Sequence, residues 1–309
     1  MGCGMRTPAW FRWLQCVRMD EVAVLQGTPL MGFVFALDRS VQRSGTDTLC
    51  TLVALVCASA CLVAHIIVLN DWAGIDGDLQ DPNRSTRTFL SLGISRRAMW
   101  CMAQLWAVLG LAFSAYLGLH SLWVAGGMLL TSTFYSSPRW HLKGIPIASS
   151  LLHLAGGILH FLLGYLAIGE LNPQSLVFAC YFGVVFAAGH LMHEVRGHDA
   201  DAANGILTNA VAFGKNATSI AAFVLFSAAY GLVAVWAAME QHPLLLSLSL
   251  AAYLLHGLKT WQVFQSRLAP HPLLHLQRHY RFNFAVIGLV LLGTFALPYV
   301  HGRVSGVAG

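Results

Sequence analysis

Residues 48–87 read TLCTLVALVCASACLVAHIIVLNDWAGIDGDLQDPNRSTR, and the two halves of this stretch have opposite character. Residues 48–70 contain no charged side chain and are long enough to cross a bilayer as a helix, which takes about 20 apolar residues. Residues 71–81 then hold four of the thirteen acids in the chain, namely Asp71, Asp76, Asp78 and Asp81. An uncharged run that ends in clustered acids predicts a transmembrane helix with a polar site at one end.

The composition of the whole chain supports the same interpretation. Of its 309 residues, 57% are apolar and 10% are charged, whereas soluble domains carry about 25% charged residues. These charges are too few to cover a surface exposed to water. The chain is therefore predicted to be an all-α integral membrane protein with a single domain over residues 1–309. Residues 1–21 are basic and aromatic but lack the apolar core of a signal peptide, so they predict an interfacial helix.

Nine segments are predicted to span the bilayer. They lie at residues 19–37, 48–70, 98–118, 121–137, 147–168, 174–194, 217–239, 243–264 and 282–301. With nine spans, alternate loops face opposite sides, and 15 of the 18 Lys and Arg residues fall on the side of the N-terminus. Because positively charged loops stay in the cytoplasm, the N-terminus and the acid-rich loops are predicted to be cytoplasmic.

Two segments of the chain share one pattern of acids. The sequence NDWAGIDGD at residues 70–78 and the sequence HEVRGHDAD at residues 193–201 place an acid, a glycine and two aspartates at the same spacing. Each segment follows an apolar span, the second and the sixth. This similarity predicts two pseudo-repeats, at about residues 19–137 and 147–264, followed by a ninth helix. A parallel repeat of this kind would bring both motifs to one side of the membrane.

The clustered acids indicate a site for cations, because carboxylates this close together repel one another unless cations lie between them. Mg²⁺ commonly binds one or two protein carboxylates together with waters and substrate phosphates. Arg84 and Arg87, which follow the first motif, would add donors for phosphate oxygens. The pattern therefore predicts a site that holds Mg²⁺ around a diphosphate and stabilises its departure. An apolar tunnel between the helices would hold an isoprenoid tail.

The two motifs resemble those of the UbiA superfamily of intramembrane prenyltransferases, whose members have nine transmembrane helices. Asn70, Asp71 and Asp78 match the Asn-Asp-x-x-Asp-x-x-x-Asp motif that follows the second helix in this family. Glu194 and Asp201 match the related Asp-rich motif that follows the sixth helix. Other stretches similar to the family are RSTRTFLSLGIS at 84–95, YSSPRWHLKG at 135–144 and NGILTNAVAFGK at 204–215. The resemblance covers nearly the whole chain.

The resemblance implies a UbiA-like bundle with a central cavity and a Mg²⁺-dependent transfer of a prenyl group. The donor would be a polyprenyl diphosphate, and the acceptor would be a lipophilic or aromatic molecule held among membrane lipid. The residues expected to be catalytic and to bind metal are Asp71, Asp78, Glu194 and Asp201. The residues expected to bind substrate are Asn70, Arg84, Arg87, Tyr135 and Lys143. The sequence has no basic stripe interleaved with aromatic residues, so nucleic acid is not an expected partner.

The chain departs from the family at the middle carboxylate of each motif, where Gly74 and Gly197 stand. An aspartate follows two positions later in both motifs, Asp76 in the first and Asp199 in the second. On a regular helix Asp76 would point about 140° away from Asp71, so it could join the metal site only if the helix opened. Glycine permits such an opening. We therefore expect both helices to open at these glycines, with Asp76 and Asp199 as two further metal ligands.

Two other functions are compatible with the sequence. A terpene cyclase on the same scaffold would ionise a prenyl diphosphate and let a double bond of the prenyl chain attack the cation, and the altered motifs favour this alternative. A transporter is the second alternative, although its ionisable groups would be expected within the membrane rather than at the ends of spans. The intramembrane residues His65, His153, His160 and His190 are interpreted as groups that hydrogen-bond between helices.

Overall fold

The structure, a computed structural model, describes residues 9–37, 45–80 and 85–306. In these residues the chain forms α-helices and two 3-10 turns, at Ser85–Arg87 and Leu142–Gly144, and no strand, so the all-α prediction is confirmed. The helices are α1 (Ala9–Val17), α2 (Met19–Leu25), α3 (Gly27–Leu37), α4 (Gly45–Gln80), α5 (Arg96–Leu117), α6 (Leu119–Ser136), α7 (Ala148–Tyr165), α8 (Pro173–Ala203), α9 (Asn209–Phe213), α10 (Lys215–Met239), α11 (Pro243–Gln265) and α12 (Pro270–Gly306). Asp81 and Arg84 lie outside the described residues, together with the side chain of Arg87.

Seven of these helices are long and apolar enough to cross a membrane, namely α4, α5, α7, α8, α10, α11 and α12. The chain is therefore an integral, multi-pass membrane protein. The predicted span at residues 19–37 is divided into α2 and α3, which meet at Gln26. Helix α6 covers all but the last residue of the predicted span at residues 121–137 and is not among the seven. The predicted count of nine spans is thus not confirmed.

Helices α4 and α8, which carry the two acid motifs, are longer than a bilayer requires. They have 36 and 31 residues, which makes them about 54 and 46 Å long, whereas the hydrocarbon core is about 30 Å thick. Apart from Asp47 in the first turn of α4, the acids of both helices stand on the final turns, and apolar residues predominate before them. A capping box fixes the start of α8, because Asn172 and Ser175 each accept a hydrogen bond from the backbone N–H of the other.

Glycines on α7 allow its backbone to approach two neighbouring helices closely. A Cβ atom added to Gly157 would lie 2.7 Å from the carbonyl oxygen of Phe182 on α8. A Cβ atom added to Gly164 would overlap the backbone of Pro29 on α3. Small residues permit this close packing, which supplies much of the attraction between helices in lipid. Helix α7 therefore packs tightly against both α3 and α8.

Two buried histidines form hydrogen bonds between helices. His160 Nε2 on α7 lies 2.9 Å from Ser59 Oγ on α4. His65 Nδ1 on α4 lies 2.9 Å from the carbonyl oxygen of Ala103 on α5. Each bond satisfies a polar group that would be costly to leave unpaired in apolar surroundings. The predicted role of His65 and His160 is confirmed.

Neither acid-bearing helix opens at its glycine. Helix α4 continues through Gly74 to Gln80, and α8 continues through Gly197 to Ala203. The predicted opening is therefore wrong. A regular helix pairs the backbone N–H and C=O groups that an opening at the edge of the membrane would leave without partners.

Candidate functional site

The C-terminal end of α4, which carries the first motif, lies beside the residue that follows α8, which carries the second. A Cβ atom added to Gly77 on α4 would lie 3.6 Å from the side chain of Asn204, the residue that follows α8. Asp71 and Asp78 stand on the last three turns of α4, and Asp201 stands on the last turn of α8. The two motifs therefore lie at the same end of the molecule.

In the first motif, Asp71 is paired with a cation from the N-terminal helices. Arg18, the residue between α1 and α2, donates a hydrogen bond through Nη2 to Asp71 Oδ1 at 2.5 Å, and its Nη1 lies 3.6 Å from Glu21 Oε1. Asp78 is within electrostatic range of both Asp71 and Arg18. Burial lowers the pKa of Arg18, but the carboxylates of Asp71, Glu21 and Asp78 raise it more, so its pKa lies above its ordinary value. The site thus includes a fixed positive charge.

Sequence reasoning missed Arg18 as a site residue. The only feature of the sequence that could have indicated Arg18 was its position in the basic N-terminal segment. That position is equally typical of an arginine that contacts the membrane surface. Its partner Asp71 is 53 residues away in the chain, so only the fold reveals the contact.

Asp76 and Asp199, the two aspartates that follow the motif glycines, face outward. Asp76 has a side chain that is 75% exposed and forms an ion pair with Arg96 at the start of α5. Asp199 has a side chain that is 84% exposed and lies 2.9 Å from Lys215 Nζ and 2.8 Å from His198 Nδ1. Each aspartate is therefore exposed and has a cationic partner on another helix, Arg96 on α5 and Lys215 on α10.

Glu194, the first acid of the second motif, is buried and held by three hydrogen bonds. Its Oε1 accepts a hydrogen bond from Ser149 Oγ at 3.1 Å. Its Oε2 accepts from the backbone N–H and from Nδ2 of Asn209, at 3.0 and 2.8 Å. Asn209 Oδ1 in turn accepts from the backbone N–H of Ile147 at 2.7 Å. Glu194 thus connects α8 to the starts of α7 and α9, and its oxygens are satisfied by these donors.

Aromatic rings form one wall of the site beside Glu194. The rings of His153 and His190 stack with centroids 3.6 Å apart, and Tyr135 meets both rings edge to face at 4.9 and 6.0 Å. His190 Nε2 lies 2.9 Å from Glu194 Oε1, although it lacks the alignment of a hydrogen bond. Tyr135 is within electrostatic range of Glu194 and Asp201. The predicted substrate-binding residue Tyr135 therefore lies beside the second motif.

Two other predicted substrate-binding residues lie at the borders of the site. Asn70 is half-buried and immediately precedes Asp71 on α4. Lys143 is half-buried in the 3-10 turn Leu142–Gly144, and a Cβ atom added to Gly144 would lie 3.8 Å from the side chain of Ile206. Lys143 is therefore close to the segment that follows the second motif.

The chemistry of the acids suits a hard divalent cation, because carboxylate oxygens are the ligands that Mg²⁺ prefers. Among the described residues, no three His, Cys, Asp or Glu side chains converge into a metal-binding group. Asp71 is directed to Arg18, and Glu194 is directed to Ser149 and Asn209. The acids fit Mg²⁺ by the chemistry of their donor atoms, and a bound ion would have to compete with Arg18 for Asp71.

The chain is similar to one family and to several solved structures. The profile of the UbiA prenyltransferase family matches residues 28–272. A UbiA homologue from Archaeoglobus fulgidus bound to GPP and Mg²⁺ is 17% identical, with a TM-score of 0.70, and the match covers 94% of this chain and 99% of that one. A structure of digeranylgeranylglyceryl phosphate synthase is 13% identical, with a TM-score of 0.70 and coverages of 93% and 98%. A UbiA homologue from Aeropyrum pernix K1 is 15% identical, with a TM-score of 0.66 and coverages of 89% and 97%.

No curated protein matches the chain in sequence. At the low identities of the structural matches, the likeness shows a shared fold.

Proposed function

The chain belongs to the UbiA prenyltransferase family, and from that premise we propose that it transfers a prenyl group from a polyprenyl diphosphate to a lipophilic or aromatic acceptor inside the membrane. The observation that carries this proposal is the approach of Gly77, in the first acid motif on α4, to Asn204, three residues after the second motif on α8. Carboxylates from two helix ends can share the cations that a diphosphate requires. The apolar helices around them would hold the prenyl chain.

Each acid has its own part in the proposed site. Asp71, Asp78 and Asp201 would hold Mg²⁺, and the bound ion would supply positive charge to the departing diphosphate. The structures of Archaeoglobus fulgidus homologues bound to Mg²⁺ with GPP or with DMAPP support a role for Mg²⁺ in this fold. Glu194 would hold the second motif in place through Asn209, and it would reach a cation only if its present hydrogen bonds opened.

The substrate-binding groups surround these acids. Arg84, Arg87 and Lys143 would donate hydrogen bonds to diphosphate oxygens, since charged donors bind such oxygens strongly. Asn70 would orient the carboxylate of the neighbouring Asp71. Tyr135 would present its aromatic ring to a prenyl cation, which a π face attracts.

The transfer itself follows from this arrangement. The bond between the allylic carbon and the diphosphate oxygen breaks, and the electron pair leaves with the diphosphate. An acceptor atom then forms the new bond to the allylic carbon and loses a proton. The apolar helices exclude water, which would otherwise capture the cation.

The proposal is tested by supplying purified protein with prenyl diphosphates of several chain lengths, with and without lipophilic or aromatic acceptors. We expect diphosphate release and a prenylated product that both require the acceptor and Mg²⁺. EDTA should abolish both, and added Mg²⁺ should restore them. Full turnover in EDTA would contradict the proposed metal site.

The same assay distinguishes the other candidate functions. The glycines at positions 74 and 197, in place of the usual middle carboxylates, favour a terpene cyclase as the second candidate. A cyclase would release diphosphate without an acceptor and yield a cyclic hydrocarbon or alcohol. A transporter would leave the diphosphate intact and move its solute across proteoliposome membranes. Either result would overturn the prenyl transfer proposed above.

A further inference from the structure

A second polar cluster lies where α8 meets α12, and it contains cations without acids. Its members are His193 and Arg196 on α8 and Gln277, Tyr280 and Arg281 on α12. Because Arg196 lies between Glu194 and Asp201 in sequence, the cluster is at the same end of the molecule as the acid motifs. Glu240 is the only acid in the sequence after Asp201, so this end of α12 has no acid close to it in the chain.

Two guanidinium groups converge on one imidazole in this cluster. Arg196 Nη2 lies 3.1 Å from His193 Nδ1, and Arg281 Nη2 lies 3.2 Å from His193 Nε2. A neutral imidazole has only one acceptor nitrogen, whereas both guanidiniums offer only donors. His193 can therefore accept a hydrogen bond from one arginine but not from both. The second arginine has a donor directed at a group that cannot accept it.

Neighbouring residues hold Arg196 in this position. Its Nη1 donates to Gln277 Oε1 at 2.9 Å, and Gln277 Nε2 donates to the carbonyl oxygen of Met192 at 3.2 Å. Gln277 is only 2% exposed, so its amide is fixed between the two helices. The guanidinium is thereby oriented before any ligand arrives, which lowers the entropic cost of binding.

The cluster also has donors that lack acceptors. Tyr280 is 4% exposed, and its hydroxyl has no well-aligned hydrogen bond in the described part of the chain, although Arg281 is close enough to donate to it and Arg196 is within electrostatic range. In residues 9–37, 45–80 and 85–306, no carboxylate lies within ion-pair distance of either arginine. A phosphate group has several acceptor oxygens. It could therefore accept hydrogen bonds from both guanidiniums and from the buried hydroxyl of Tyr280 at once.

We propose that Arg196, Arg281 and Tyr280 bind the phosphate group of an anionic membrane lipid. Arg281 stands on the outer side of α12 among apolar residues that are exposed to the surroundings. Phe282 and Leu289, which follow Arg281, are 66% and 69% exposed, and a helix face of this kind contacts acyl chains in a membrane protein. Arginines at the end of such a face stand at the level of lipid headgroups. Arg196 belongs to the second acid motif, but its guanidinium is directed to Gln277 on α12, and the proposed lipid binding does not depend on prenyl transfer.

The test measures binding of three probes to purified full-length protein in a neutral detergent. The probes are short-chain phosphatidic acid, the corresponding diacylglycerol without phosphate, and inorganic phosphate. We expect phosphatidic acid to bind and to raise the unfolding temperature, because a ligand of the folded state stabilises it, and diacylglycerol to have no effect. Binding of inorganic phosphate at similar strength would identify a soluble phosphate as the second source of the same chemistry.

A matched pair of double variants decides whether the cluster is the binding site. In Arg196→Gln/Arg281→Gln the dissociation constant of phosphatidic acid should rise at least about tenfold, because two charged donors are lost. Arg267→Gln/Arg278→Gln removes the same net charge from two exposed arginines at neighbouring positions and should change it less than about threefold. Arg196→Lys/Arg281→Lys keeps the charge and should give an intermediate loss.

Two results would overturn the proposal. One is unchanged binding of phosphatidic acid in Arg196→Gln/Arg281→Gln. The other is an equal loss of affinity in both glutamine double variants, because that result would mean that anionic lipid is attracted to the basic end of the protein without a specific site. The unfolding temperature without lipid shows whether each variant is folded. If the glutamine double variant is unstable, the lysine double variant, which keeps the positive charge, is compared with the parent protein instead.

Discussion

At the scale of single residues, the six acids of the two motifs divide by the direction in which they point. Asp71 and Asp78 lie within electrostatic range of each other, whereas Asp76 and Asp199 point outward to Arg96 and Lys215. We therefore expect Asp71→Asn and Asp78→Asn to lower diphosphate release at least about tenfold, which corresponds to about 1.4 kcal/mol of transition-state stabilisation. The measurement is the initial rate of diphosphate release in the assay described above.

The outward-facing aspartates supply the control for this prediction. Asp76→Asn and Asp199→Asn remove exposed ion pairs, which contribute little in water, so the rate should change less than about threefold. A loss in these variants equal to that of Asp71→Asn would show that the helices open during turnover, as the glycines at positions 74 and 197 would permit.

Glu194 should matter for folding more than the other acids do. Glu194→Ala leaves the backbone N–H and Nδ2 of Asn209 and the hydroxyl of Ser149 without their acceptor in a buried place. Each such group costs about 1–3 kcal/mol, so the free energy of unfolding should fall by at least about 2 kcal/mol. Chemical unfolding in detergent micelles measures it.

The matched variant for Glu194 is glutamine. Glu194→Gln keeps one carbonyl oxygen and the shape of the side chain, so it should lose less stability than the alanine variant. Equal stability of Glu194→Ala and the parent protein would contradict the structural role of this carboxylate.

At the scale of helices, the glycines of α7 give a prediction with its control on the same helix. Gly164→Ala places a methyl group against the backbone of Pro29 on α3, whereas Gly156→Ala places one where nothing lies within 4 Å. The first change should destabilise the fold by about 1–3 kcal/mol through overpacking. The second should be neutral or stabilise it by up to about 1 kcal/mol, because alanine favours helix. Thermal unfolding of the two variants in one detergent compares them, and equal unfolding temperatures would contradict the close packing of α3 on α7.

The helices were largely predictable from sequence because uncharged runs near 20 residues have few alternatives to a membrane helix. The ends were less predictable. Helix α4 continues ten residues beyond the predicted end at residue 70, since a helix that leaves the membrane keeps its own hydrogen bonds and needs no apolar side chains. The division of residues 19–37 at Gln26 was also missed, because glycine and proline occur there without fixing where a helix ends.

Contacts between distant residues limit what the sequence can show of the site. The motif spacing identifies Asp71, Asp78, Glu194 and Asp201 as candidates. It cannot show that Glu194 is enclosed by Asn209 and Ser149, since Ser149 is 45 residues away in the chain. The direction of Asp76 followed correctly from the period of a regular helix. The error was the expectation that the helix would depart from that period.

At the scale of the whole molecule, the distribution of basic residues predicts its orientation. The excess of Lys and Arg on one set of loops predicts that the acid motifs face the cytoplasm. In a cysteine-free background, Thr86→Cys should react with an impermeant thiol reagent from the cytoplasmic side, and Glu170→Cys should react from the opposite side. Both positions are exposed. Labelling of both from one side would contradict the predicted arrangement of spans.

The contact between Arg18 and Asp71 makes this arginine a tethered competitor of any cation at the site. Because it is held on the same chain, its local concentration does not fall when the solution is diluted. A divalent ion must displace it, so removal of the competitor should lower the Mg²⁺ concentration at half-maximal activity. We expect Arg18→Gln to shift this concentration downward, whereas Arg12→Gln, whose guanidinium donates to the carbonyl oxygen of Leu92 instead, should leave it unchanged. A Mg²⁺ titration of both variants measures this concentration. An increase in Arg18→Gln would mean that the guanidinium promotes Mg²⁺ binding instead of competing with it.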